Sequence, residues 1–217
     1  MSSKKILQTI ALFLLLVGFP AISWYYLRTG LDYRMEALGE LGDLGKIPGF
    51  ELTNYNEKEV SKADLKGKVV VASFLSLDAS ESTSLKGKYL EKLHDQFDER
   101  KDVVFVNYLV EGEIDTTTAK AAAFAEAYKL SDPNQCYFLE GTPDQIRALA
   151  TEGGFALPMA EGMALVDNPF MILADTSLTV RKIYDVREPS QVSRLVEHIA
   201  LILPLETKRK TDVIEDN

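Results

Sequence analysis

The sequence predicts an α/β domain, a mixed central sheet flanked by helices in three layers, carried behind one membrane-crossing helix. Three observations predict it. Residues 6–27 form an apolar run without a charge; two β-branched runs, Val69–Phe74 and Asp102–Val110, are each followed by a helical pattern; and a hairpin over Phe170–Tyr184 is followed by a last amphipathic helix.

The amino end reads "KKILQTIALFLLLVGFPAISWYYLR". About 22 uncharged residues at 1.5 Å each span roughly 33 Å, enough to cross a bilayer. Trp24, Tyr25 and Tyr26 close the run, where amphipathic rings suit the lipid–water boundary. Lys4 and Lys5 favour an inside amino terminus and so an extracytoplasmic domain. A cleaved signal is the alternative, but the run is longer than a usual signal core and no small-x-small site precedes Trp24. Pro20 is a candidate kink, because it removes one backbone donor. The reading is a cytoplasmic end over 1–5, a span over 6–27 in contact with lipid, and a Gly-spaced connector over 28–46 that begins as a short helix. A globular domain over 47–204 and a polar, disordered tail over 205–217 complete the chain.

Within the domain, "ELTNYNEKEV" suggests two short strands around a turn at Asn54–Asn56, and Asp64–Gly67 a second turn. Val69–Phe74 is apolar throughout, the mark of a central strand buried on both faces. The next helix begins near Ser82 or Ser84, with Leu85, Tyr89, Leu90, Leu93 and Phe97 on one face. Asp102–Val110 is another central strand. Asp115 or Thr116 caps a helix propagated by alanines, "CYFLEG" is a short strand, and Thr142 with Pro143 opens a helix that stops at Gly153–Gly154. The hairpin pairs Phe170–Ala174 with Leu178–Tyr184 across Asp175–Ser177, and Ser190 caps the last helix. The order β–α–β–α–(β)–α–β–β–α is that of a thioredoxin-like three-layer fold. Such folds place a cis-proline where Pro169 stands, although only a minority of X–Pro bonds are cis.

Composition narrows the chemistry. The net charge is −9; the first 34 residues carry +3, which leaves −12 for the rest and disfavours nucleic acid. Cys136 is the one cysteine, so internal disulfides, paired-cysteine redox chemistry and four-cysteine zinc sites are excluded within one chain. Two histidines, His94 and His198, leave little for a metal site. No phosphate loop, Ser-His-Asp arrangement or H-E-x-x-H occurs.

Three stretches resemble the SCO/SenC family over about residues 47–203. "IPGFELTNYNEKEVSKADLKGKVVVASF" is similar to that family's entry, "CYFLEGTPDQIRALA" to its W-x-F-L-T-G segment and following helix, and "MILADTSLTVRKIYD" to its closing hairpin. The resemblance implies a membrane-anchored, extracytoplasmic copper chaperone or thiol reductant for assembly of the copper centre of cytochrome oxidase. The family's site is a Cys-x-x-x-Cys pair with one distant histidine, soft ligands that select Cu(I) beside an imidazole. None of the three is present. Anchoring on Phe74 and Phe97 puts Ala79 and Thr83 at the cysteine positions, whereas anchoring on Leu85 puts Leu77 and Glu81 there. The histidine falls at Asp167 or Asn168, and Cys136 and Glu140 stand at the family's Trp and Thr.

Could other groups act instead? Asp78, Glu81 and Asp167 would suit Ca²⁺ or Mg²⁺ and not Cu(I), and read as a solvated surface. Cys136 has no cation near it in sequence to stabilise a thiolate, and reads as a buried structural cysteine. His94 reads as outward-facing and His198 as a surface or satisfied histidine.

The resulting expectation is a single-pass inner-membrane protein whose domain lies on the periplasmic side and lacks copper, redox ligands and any cofactor. It would be non-catalytic, an accessory, scaffold or assembly factor of a respiratory complex, cytochrome oxidase by the resemblance. The alternative is an active metallochaperone or thiol protein using Cys136 or the carboxylates near Glu81 and Asp167. Candidate contact surfaces are Leu75 with Leu77, and Trp24–Tyr26.

Overall fold

The computed structural model describes residue 8 and residues 11–78, 81–110 and 114–204, without the side chains of residues 114–116. The expected inside end over 1–5 and the polar tail over 205–217 lie outside the described residues. The chain divides into two compact units, Met1–Leu41 and Gly42–Asn217.

The first unit is one helix, α1 (Ala11–Gly39), long and apolar enough to cross a membrane, with a mean hydropathy of 1.4 over its most apolar window. Its apolar side chains from Leu12 to Leu31 are exposed. Leu14–Gly18 forms a π-helical turn directly before Pro20. Proline supplies no N–H for the carbonyl four residues back and its ring crowds that carbonyl, so the backbone widens locally. No separate connector helix follows the span. The helix continues unbroken to Gly39, since Arg28–Leu38 contains no proline and is rich in Leu, Met, Glu and Ala.

In the second unit the described strands form one sheet in the order β2-β1-β5-β4-β3-β6-β7. They are β1 (Glu51–Asn54), β2 (Glu59–Ser61), β3 (Val69–Leu75), β4 (Val103–Leu109), β5 (Cys136–Glu140), β6 (Phe170–Ala174) and β7 (Val180–Asp185). β3, β4 and β5 are parallel, and β6 returns antiparallel to β3. The helices are α2 (Glu81–Phe97), α3 (Ile114–Ala127), α4 (Pro143–Thr151) and α5 (Pro189–Ile202).

Every residue of β3 and β4 is buried, as their unbroken apolar runs require. Alternate side chains enter two cores. Val70, Ala72, Phe74, Val104, Val106 and Tyr108 pack with Ile146, Leu149 and Ala150 of α4 and with Phe155. On the other face the ring of Phe105 meets His94 of α2, and Phe138 meets Phe124 of α3. His198 of α5 reaches Tyr184 of β7, with the phenol oxygen 2.7 Å from Nδ1.

Several boundaries differ from expectation for local reasons. α2 begins by Glu81, and its buried stripe is Thr83, Lys86, Gly87, Leu90, Leu93 and Phe97, so Leu85 and Tyr89 are only half-buried. Asp115 and Thr116 lie inside α3 rather than before it. Glu188, not Ser190, caps α5, because Pro189 takes the first helical position where its missing N–H costs nothing. Leu178 belongs to the hairpin turn, not to the strand: its φ is 60°, and Asp175 Oδ1 accepts from the amides of Ser177 and Thr179. The expected cap of α4 is present as a reciprocal pair, Thr142 Oγ1 accepting from the Gln145 amide and Gln145 Oε1 from the Thr142 amide. Among the described residues no peptide bond is cis, and Asn168–Pro169 is trans.

Residues 42–47, expected as plain connector, run along β7: Gly42 N–H donates to Arg181 O, Leu44 N–H to Val180 O and Ile47 N–H to Leu178 O. Gly154 permits this approach, since a Cβ there would meet Gly45 O at 2.7 Å and Val180 Cγ2 at 2.6 Å. Gly87 has the same role on the opposite face, where an added Cβ would lie 2.5 Å from the Tyr128 ring. Gly87→Ala is therefore expected to destabilise the domain by about 1–3 kcal/mol through overpacking, read as a lowered denaturant midpoint of the full chain in detergent.

Candidate functional site

The carboxyl ends of the parallel strands β3, β4 and β5 lie at one edge of the sheet, where ligand sites form in open α/β folds. Ser76–Asp78 leaves β3 there, α2 begins there, and residues 165–168 reach the same edge before β6. Loop and turn meet directly, since Ser82 Oγ donates to Asp167 O at 3.1 Å. The fold thus brings the two stretches that would carry metal ligands into one place.

The side chains found there are engaged in structural bonds. Thr83 is buried and its Oγ1 donates to Ser76 O at 2.6 Å, closing the first turn of α2 onto the strand end. Asn168 is fully buried. Its Nδ2 donates to Phe74 O at 3.0 Å and Leu165 O at 2.6 Å, and its Oδ1 accepts from the Phe170 amide at 3.3 Å. Glu81 and Asp167 are exposed and Leu77 is half-buried. Ala79 lies outside the described residues. Asp78 pairs with Lys120 of α3. Among the described residues, no three His, Cys, Asp or Glu side chains form a group that could hold a metal, so Asp78, Glu81 and Asp167 do not combine into one.

The residue that sequence reasoning missed is Lys86. It is 1% exposed, and Nζ donates to Phe74 O at 2.7 Å and to Asn168 Oδ1 at 2.9 Å. Both acceptors are neutral. Burial alone pushes its pKa from 10.5 down to about 7. The signal was available in the spacing: Thr83, Lys86, Leu90, Leu93 and Phe97 follow one another by three or four residues along a helix face. A lysine on such a stripe is ordinarily displaced from it by reading helices through their leucines. A second missed residue is Glu140, 8% exposed at the end of β5. Both its carboxylate oxygens lie within reach of Thr118 Oγ1, at 3.0 and 3.2 Å, and burial pushes its carboxyl pKa up.

Cys136 sits on β5 inside the domain, and burial, aided by Asp132, pushes its thiol up to about 12. That is the opposite of an activated nucleophile. His94 turns inward rather than outward: its ring lies 6.1 Å from that of Phe105, and Nε2 is buried without a partner among the described residues. Of the proposed contact residues, Leu75 is fully buried as the last residue of β3, because the strand runs one residue beyond its apolar core at Phe74. Trp24, Tyr25 and Tyr26 are 67%, 67% and 71% exposed.

A mixed sheet of this order, with helices on both faces and a polar junction at the strand ends, defines a thioredoxin-like domain. The chain belongs to the AhpC/TSA family, which residues 45–217 match. No curated protein matches it significantly. Among solved structures it is similar to a SCO1/SenC family lipoprotein from Bacillus anthracis, at 22% identity and TM-score 0.62, covering 73% of this chain and 95% of that one. It is also similar to BsSco, described as a member of the Sco family of cytochrome c oxidase assembly proteins, at 23% identity and TM-score 0.60, covering 73% and 94%. A third is copper-bound ScoI from Bradyrhizobium japonicum, at 18% identity and TM-score 0.55, covering 74% and 99%. Its structural neighbours thus include SCO/SenC proteins, and it shares their fold.

Two outcomes follow. The folded chain at pH 8 is expected to react with a thiol alkylating reagent at least about 100-fold more slowly than the denatured chain, since Cys136 is both buried and protonated. Lysine binds its proton in the unfolded chain up to about 10.5 but in the fold only below about 7. Stability must then rise with pH across that window, because the unfolded state holds more protons there. From pH 7.5 to 9.5 the wild type should gain about 2 kcal/mol relative to Lys86→Met, measured by denaturant titration of both at each pH.

Proposed function

We propose that this chain is a membrane-anchored, Sco-like protein without metal or redox chemistry of its own, an accessory or assembly factor of a respiratory complex of the cytochrome oxidase type. The observation that carries the reading is the junction at the strand ends. At the edge where the resemblance puts the family's ligands, Thr83, a cysteine position in one register, is committed to Ser76 O, and Asn168, the histidine position in the other, to Phe74 O and Leu165 O. The donor set described there is hydroxyl, amide, amine and carboxylate, which does not suit Cu(I). Cys136, the single thiol, is remote from that edge at the opposite end of β5 and is held protonated. The oxidase connection comes from the solved Sco relatives and their fold.

In this reading α1 anchors the domain in the inner membrane and Lys4 and Lys5 stay inside, which sets the domain on the periplasmic side. Leu77 on the strand-end surface and the aromatic collar Trp24–Tyr26 are its contact points with the partner complex and the lipid boundary. A domain retained for shape needs an edge that is stable without a ligand, and the junction supplies one.

The test is affinity capture of the tagged full chain from detergent-solubilised membranes, together with copper titration of the same preparation. Co-purification of oxidase subunits with no stoichiometric copper is expected. Recovery of no respiratory subunit overturns the partner assignment, and tight one-to-one Cu(I) binding overturns the metal-free reading.

A further inference from the structure

Lys86 Nζ has two acceptors, Phe74 O and Asn168 Oδ1, each fully buried. A neutral amine has two N–H groups and a charged one three. The two acceptors match both N–H groups of the neutral form, whereas the charged form has one N–H unmatched and, among the described residues, no counter-ion. The other titratable groups of α2 are Glu81, Lys88, Tyr89, Glu91, Lys92, His94 and Asp95; Asp167 stands in the turn before β6, and the Tyr128 ring lies close to Gly87. None of them offsets the cost, for burial is the sole cause acting on Lys86.

The amine also joins three pieces of chain, beside the Ser82–Asp167 bond that links α2 to the turn nearer the surface. Its stem belongs to α2, one acceptor is the backbone near the end of β3, and the other is Asn168, which in turn holds Leu165 O and the Phe170 amide. Removing this one contact leaves no acceptor orphaned, since Phe74 O keeps Asn168 Nδ2 and Asn168 Oδ1 keeps the Phe170 amide. The bond is thus a fastening added to an already satisfied junction, and its loss loosens the edge without unfolding the core.

We propose that Lys86 is a proton-operated latch on the strand-end surface: as a neutral amine it fastens α2 to the 165–168 turn, and on taking up a proton it releases them. The sign follows from linkage. Opening exposes an amine that holds its proton up to about pH 10.5, while the closed state holds it only below about pH 7, so opening takes up a proton between these limits. The open population rises as pH falls through that window and levels off below it.

Hydrogen exchange of the full chain in detergent micelles at pH 6 and pH 8.5, corrected for the intrinsic chemical rate, tests this. For amides of residues 82–86 and 165–170 the opening equilibrium should be roughly thirtyfold larger at pH 6, with the amides of β4 and α4 unchanged as controls. Lys86→Met should abolish the pH dependence. Lys86→Gln keeps two neutral N–H donors, so it serves where the methionine variant fails to fold, and it should likewise be flat. Equal wild-type protection at both pH values, equal loosening of the β4 controls, or persistence of the pH dependence in Lys86→Gln overturns the latch.

Discussion

The parallel pairing of β3 with β4 is the constraint on which the rest of the domain depends. Val69 through Leu75 align residue for residue with Val103 through Leu109, and all fourteen are buried. Both faces of such strands must be covered, which calls for helices on each side and for crossover connections between the strands. The aromatic cluster of Phe74, Tyr108, Phe50 and Phe155 fills one face, with ring centroids 5.0–5.8 Å apart. β6 then closes against β3 in antiparallel register, and this brings Asn168 beside Phe74.

The same pairing explains why the strand-end junction is so closed. A loop leaving a doubly buried strand must satisfy its own backbone groups as it emerges. Thr83 takes Ser76 O, while Lys86 and Asn168 share Phe74 O. Side-chain donors of Thr83, Lys86 and Asn168 thus hold this edge. A buried lysine with no counter-ion among the described residues is an expensive way to do so, because desolvation penalises its charge. That cost is tolerable only if the amine stays neutral, which makes the junction sensitive to protons where a hydroxyl or amide would be indifferent.

The fold was legible in the sequence to a large extent, and for identifiable reasons. Val69–Phe74, Asp102–Val110 and the Phe170 hairpin are strong because their residues are apolar on both faces or alternate cleanly. Thr142–Pro143 declared its helix start through local chemistry alone. Boundaries slipped where tertiary bonds decided them, as at Leu178, which Asp175 draws into the turn, and at residues 42–47, which β7 recruits as a neighbour. That the chain offers no pair of cysteines could be read at once, since cysteine content is a fact of composition.

By itself, the sequence determined the apolar amino-terminal helix, the α/β order of elements and the single cysteine, because each depends on residues close together in the chain or on simple counting. Only the tertiary structure decided how the strand-end junction is held. Lys86 and Asn168 are 82 residues apart, and their meeting depends on β6 pairing beside β3, a long-range register that no local pattern encodes. Burial was decided in the same way. It buried Leu75, held the Cys136 thiol protonated and pushed the pKa of an ordinary helix lysine down to about 7, because the dielectric around a side chain depends on what the whole fold packs over it.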